Sequence, residues 1–185
     1  MALFLLSAAA GYMVPAASPE AARTLISGLQ DKAATFSGQS QPMMMLGIFA
    51  NNATGALAAL LFGLIAGLFP LFFVVSNGLV IGIMLEMVMN KLGAAGGAVV
   101  FAAGILPHGV LELPAVLIST AIGLRLGYAA LRSVAKGDGE VAAQLKEGLL
   151  IFLFWILPIL FLAAFIEAFV TGAVLAYFLH APLFK

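Results

Sequence analysis

Apolar residues run almost without interruption through five stretches of this chain, and the polar ones gather mainly between them. A helix rises about 1.5 Å per residue and the hydrocarbon core of a bilayer is roughly 30 Å thick, so about 20 apolar residues make one crossing. On that measure the pattern predicts an all-α, polytopic transmembrane bundle of about five spans in a single membrane domain, at residues 2–16, 43–69, 71–90, 98–122 and 149–179. Two segments are amphipathic instead. Ser18-Pro19-Glu20 reads as an N-cap, a first-position proline and a first-turn acid, opening an interfacial helix over 18–37 with apolar Ala22, Leu25, Ile26, Leu29, Ala33 and Phe36 on one stripe. The second, 123–148, collects Arg125, Arg132, Lys136 and Lys146, and Gly137-Asp138-Gly139 divides it into two short helical pieces.

Prolines and glycines punctuate the spans. Pro70 marks a tight connection between the second and third, and Gly93 to Gly97 a turn between the third and fourth. Pro107 and Pro114 each remove a backbone donor inside the fourth span, so a helix broken in mid-membrane is expected there. The fifth run, at about 46 Å of helix, is expected to tilt, kink at Pro158 or break near Thr171-Gly172. Gly63 and Gly67, Gly78 and Gly82, and Gly123 and Gly127 are spaced four apart, which lets helix backbones approach closely; the spacing reads first as packing within one chain rather than as a dimer interface. The first helix is short for a span and carries no basic residue ahead of it, so it is expected to be a retained helix rather than a signal peptide, with a further segment preceding it in the native protein.

Composition strengthens the membrane reading. Of 185 residues 64% are hydrophobic and 9% charged, and the mean hydropathy is +1.18, more than a soluble domain of this length hides from water. Eight basic residues balance eight acidic ones, which leaves no electrostatic footprint for nucleic acid. The lack of cysteine removes disulfides and thiolate metal sites. Half of the basic residues lie in 123–148, which places that segment in the cytoplasm and the 18–42 segment and C-terminus outside.

A charge at bilayer depth costs on the order of 3 kcal/mol, so polar residues within the spans demand partners. Seven stand there: Asn51 and Asn52 in the second span, Asn77 and Glu86 in the third, His108 and Glu112 in the fourth, and Glu167 in the fifth. His108 and Glu112 are four apart and share a helix face, where they form either a hydrogen bond that locks the kink or part of a cation or proton site. With Glu167 and Asn51 they make a candidate ligand set for a divalent metal such as zinc. Asn52 and Asn77 read as hydrogen-bonding glue between helices, and Glu86, a turn from Asn90-Lys91, as a residue that reaches the interface. Met43 to Met45 read as interfacial filler rather than a copper site. No zinc-protease helix, nucleophile elbow or phosphate loop is present, and His180 stands far from His108, so an enzyme is not expected.

Four stretches carry a resemblance: Phe49-Ala50-Asn51-Asn52, Asn77-Gly78, Leu106-Pro107-His108-Gly109 with Glu112-Leu113-Pro114-Ala115, and Ile166 to Thr171. Together they resemble the stage II sporulation protein M family of integral membrane proteins, and the His-Gly to Glu-Leu-Pro-Ala stretch is the most specific part. The resemblance implies a cell-membrane protein, a scaffold for wall-hydrolase partners in spore formers, and no settled chemistry for Asn51, Asn52, His108, Glu112 and Glu167. The resemblance also implies a longer cytoplasmic lead before the first span, which this chain is expected to lack. The expectation is therefore a non-enzymatic membrane scaffold or assembly partner, acting as a homo-oligomer such as a homodimer, with an intramembrane polar cluster. Two other readings stay open: an ion or proton transporter that relays charge through His108, Glu112 and Glu167, and an intramembrane metal-dependent hydrolase.

Overall fold

The computed structural model describes residues 1–34, 38–137 and 140–179. Helix takes up nearly all of them, and no strand occurs among them. In chain order the helices are α1 (Ala2–Ala17), α2 (Pro19–Ala34), α3 (Gln41–Leu61), α4 (Leu68–Lys136), α5 (Val141–Ile151), α6 (Leu157–Ile166) and α7 (Gly172–Leu179). A 3₁₀ turn at Phe62–Leu64 extends α3, and wide π turns at Phe152–Ile156 and Glu167–Thr171 join α5, α6 and α7 end to end. Three helical runs, 41–64, 68–136 and 141–178, are long and apolar enough to cross a membrane. Phe72, Leu106, Phe154 and Trp155 are each more than half exposed, as side chains solvated by lipid would be.

The expected elements are present with different limits. α3 and its 3₁₀ turn end at Leu64, and the chain reverses through Ala66 and Gly67, both left-handed, with φ of 51° and 72°. Pro70 therefore stands in the first turn of α4, where the N–H it lacks has no partner to lose. The 69 residues of α4 would extend about 100 Å as one rod. They do not, because Gly93 has φ 76° and ψ 165°, outside the helical range. A Cβ on Gly97 would collide with the backbone of Met89, eight residues earlier, so the chain folds back on itself there. This is the glycine turn that the sequence predicts.

The break expected at Pro107 and Pro114 is not found: Gly93 is where the backbone of α4 leaves helical geometry. Helix continues past 122 to Lys136 and stops at Gly137, whose left-handed conformation ends it, with its N–H bonded to the Ser133 carbonyl at 2.9 Å. The first piece of the expected 123–148 segment is thus the end of α4, and α5 is the start of the last helical run. Asp138, Gly139, the 35–37 end of the first amphipathic segment and His180 lie outside the described residues. In the last run, the π turn Phe152–Ile156 directly precedes Pro158, which has no N–H to return to the turn before it.

The chain packs as two units. The first comprises residues 1–47, 75–109 and 165–185. In it α1 lies against the 75–92 stretch of α4 with no room for side chains at the crossing. A Cβ at Gly78 would meet Phe4 and Ser7, one at Gly82 would meet the Ala8 carbonyl, and one at Gly11 would meet the backbone of Leu79. At Ser18 the chain bends by 118° into α2. The second unit comprises 48–74 and 110–164. Its interior is a cluster of Ala56, Leu60, Ala115, Val116, Leu126, Phe152, Ile156 and Leu160. Gly123 rests on Ala59 and Pro70, Gly127 on Gly63 and Gly67, and the buried Ser119 hydroxyl donates to the Ala56 carbonyl at 2.6 Å.

Candidate polar centre

The first unit holds His108 and Glu167 of the centre that the sequence singles out, and a helix irregularity shapes their surroundings. Over Glu167–Thr171 the last helical run takes a π turn, in which backbone bonds reach five residues back instead of four. The Thr171 hydroxyl donates to the carbonyl of Ile166, five residues back, at 3.3 Å. Thr171 is buried, and its Oγ1 also stands 3.2 Å from Nδ1 of His108. A hydroxyl has one proton. When Thr171 gives that proton to the carbonyl, its oxygen accepts from Nδ1–H, and the lone pair of the neutral imidazole falls on Nε2.

Glu167 begins the same π turn. It and His108 are both partly buried, and each offers a ligand atom within 4.8 Å of the other's. Helical backbone continues from His108 through Gly109 and Val110, so Glu112, one turn on, leaves α4 on the same side as the imidazole. An imidazole nitrogen and a carboxylate side by side are donor types that zinc and other divalent ions accept. The Thr171 hydroxyl on Nδ1 fixes the tautomer and orientation of the His108 ring.

The remaining predicted residues have separate surroundings. Asn51 is exposed in the second unit, where its Nδ2 donates to Oδ1 of Asn52 at 3.1 Å. Asn77 is half-buried on α4 beside Gly78, at the crossing with α1. Glu86 lines an open cavity with Arg23, Asn90 and Lys91. Sequence reasoning passed over Thr171 as a site residue. Its signal was present, because a threonine-glycine pair deep in an apolar run marks a place where helix geometry changes. What the pattern could not supply was the partner of the hydroxyl, 63 residues away in sequence. Among the described residues, no buried side-chain nitrogen or oxygen lacks a hydrogen-bond partner, which is what a low-dielectric surrounding demands.

No curated protein and no solved structure matches this chain. A family model, Stage II sporulation protein M, matches residues 1–172 and so takes in α1, the glycine crossings, His108, Glu112 and the whole π turn from Glu167 to Thr171. With its apolar helical runs and this match over nearly its whole length, the chain belongs to the stage II sporulation protein M family and is a membrane protein.

Proposed function

We propose that this protein is a multi-pass, non-enzymatic component of the cell membrane that holds partner proteins in place and binds one divalent cation, zinc being the best fit, through His108 and Glu167. The observation that carries the cation reading is the π turn of Glu167–Thr171. It sets a carboxylate beside the His108 ring and a hydroxyl against the ring nitrogen that a metal would not use. The fold at Gly93 supports a count of about five crossings, because it divides α4 into two arms that are each long enough to span. The scaffold role rests on the family alone; the resemblance implies wall-hydrolase partners, and a homo-oligomer is part of the same reading.

Bound there, the metal would tie the fourth and fifth spans together and so stiffen the face presented to partners. Elemental analysis of protein purified without chelator tests the cation reading. About one equivalent of zinc is expected in the wild type and almost none in His108→Ala or Glu167→Gln; equal content in all three overturns it. The assembly reading is tested in the native host, by crosslinking followed by purification. Recovery of a second copy and of wall-hydrolase partners is expected, and recovery of the chain alone rejects it.

A further inference from the structure

A second polar feature lies in the first unit, at the bend between α1 and α2. An open cavity of about 490 Å³ is bounded by Pro15 and Pro19 of the bend and by Arg23, Glu86, Asn90 and Lys91. A neighbouring groove of about 440 Å³ runs along α1 past Met13 and Ala16 and shares Glu86 with the cavity. The two differ in chemistry: the cavity has two cations, one carboxylate and an amide around its rim, and the groove is apolar apart from Tyr12 and Glu86. No hydrogen bond or ion pair joins Arg23, Glu86 or Lys91 to another described residue, although opposite charges line one space.

We infer that this elbow is a phospholipid site, in which Arg23 and Lys91 hold the phosphate, Glu86 holds the headgroup ammonium, and the groove beside α1 takes an acyl chain. Three observations converge on it. The 118° bend turns the amphipathic α2 away from the apolar α1, which puts the bend at the level where headgroups lie. The charges match a zwitterion in number and sign, because two cations around a phosphate and a carboxylate on an ammonium leave each ion of the headgroup paired. The apolar groove adjoins the cavity at Glu86, so it offers an acyl chain an apolar surface beside the charged rim, and a free phosphate ion would have no use for it. A primary ammonium suits Glu86 better than choline does, since it has N–H donors for the carboxylate. The headgroup this assigns is therefore phosphoethanolamine.

Native mass spectrometry of the full chain in detergent, titrated with dioleoyl phosphatidylethanolamine, phosphatidylcholine or phosphatidylglycerol, tests the assignment. One phosphatidylethanolamine per chain is expected to bind at least tenfold more tightly than phosphatidylcholine. Arg23→Ala combined with Lys91→Ala should lose that adduct. Glu86→Gln should keep a lipid but lose the preference for ethanolamine over glycerol headgroups, and Ala16→Phe, which fills the groove and leaves every charge in place, should weaken all three lipids. Arg23 and Lys91 are exposed, so their removal spares the packing, and unchanged zinc content in each variant checks that the rest of the unit is intact. The inference fails if the double variant binds phosphatidylethanolamine as the wild type does. It also fails if millimolar inorganic phosphate displaces the lipid, which would make the site one for a free anion.

Discussion

The two packed units close their helices by the same device and fill their interiors differently. In the first, Gly78 and Gly82 seat α4 on the backbone of α1; in the second, Gly123 and Gly127 seat a later stretch of α4 on Ala59, Gly63 and Gly67. Lipid offers helices no hydrophobic reason to associate, so direct backbone contact supplies the van der Waals attraction in both. Beyond that crossing they diverge. The second unit surrounds Leu60, Leu126, Ile156 and Leu160 with apolar neighbours and uses its buried hydroxyls to donate to backbone carbonyls, Ser119 to Ala56 on another helix and Thr120 to Val116 on its own. The first places His108, Glu167 and Thr171 together. One unit is thus an apolar frame, and the other concentrates polar side chains at one place.

Substitution can break the comparison or sharpen it. The largest loss is expected from Gly82→Leu and Gly123→Leu, which drive a side chain into backbone at Ala8 and at Ala59 respectively. Each should lower stability by about 3 kcal/mol or more, read as lost monodispersity and a lower midpoint in thermal unfolding in detergent. Gly104→Ala, where a Cβ meets nothing within 4 Å, should be neutral or gain up to about 1 kcal/mol in the same assay. If all three behave alike, the shared device is not what closes the units.

Leu160→Ala probes the frame by itself. With its side chain fully enclosed, truncation should cost about 2 to 4 kcal/mol in the unfolding midpoint while the zinc content of the folded fraction stays the same. Thr171→Val probes the chemistry. It keeps the shape but removes the hydroxyl that faces Nδ1 of His108, so metal affinity should fall roughly 10- to 100-fold in a chelator competition, with Thr171→Ser restoring most of it. An equal loss in serine and valine variants would mean that the threonine only fills space. The smallest effect belongs to the ion pair of Arg125 with Glu147, more than half exposed on both sides and supported by Gln144. Arg125→Ala should change stability by less than about 1 kcal/mol, and by less still at high salt.

Much of this was legible in the residues because lipid is a strict solvent. The reversal at Gly93 could be read from a glycine cluster after Asn90-Lys91, and the tight crossings from glycines four apart, since only a residue without Cβ permits either. The prolines were read less well. Pro107 and Pro114 predict a break, yet α4 stays helical across both and gives way at Gly93 instead. A proline costs a helix one bond and some crowding, and neighbouring helices in a membrane can compensate for both; the left-handed-side conformation at Gly93 has no such remedy and ends the rod. Pro70 misled in the other direction, since a first-turn proline resembles a connection in sequence but belongs to the helix that follows.

The amino-acid sequence by itself determined that this chain lives in a bilayer, that it is helical, and which residues would be costly there. These follow from local quantities: apolar length, residue type and spacing along one helix. Only the tertiary structure decided that Thr171 stands against His108, that a π turn brings Glu167 to the same ring, and that Arg23 and Glu86 line one cavity. The physical reason is range. Hydrophobic periodicity fixes which face of a helix is buried, whereas the partner that satisfies a buried hydroxyl or carboxylate is set by how separate helices pack, and small residues at their crossings decide that packing.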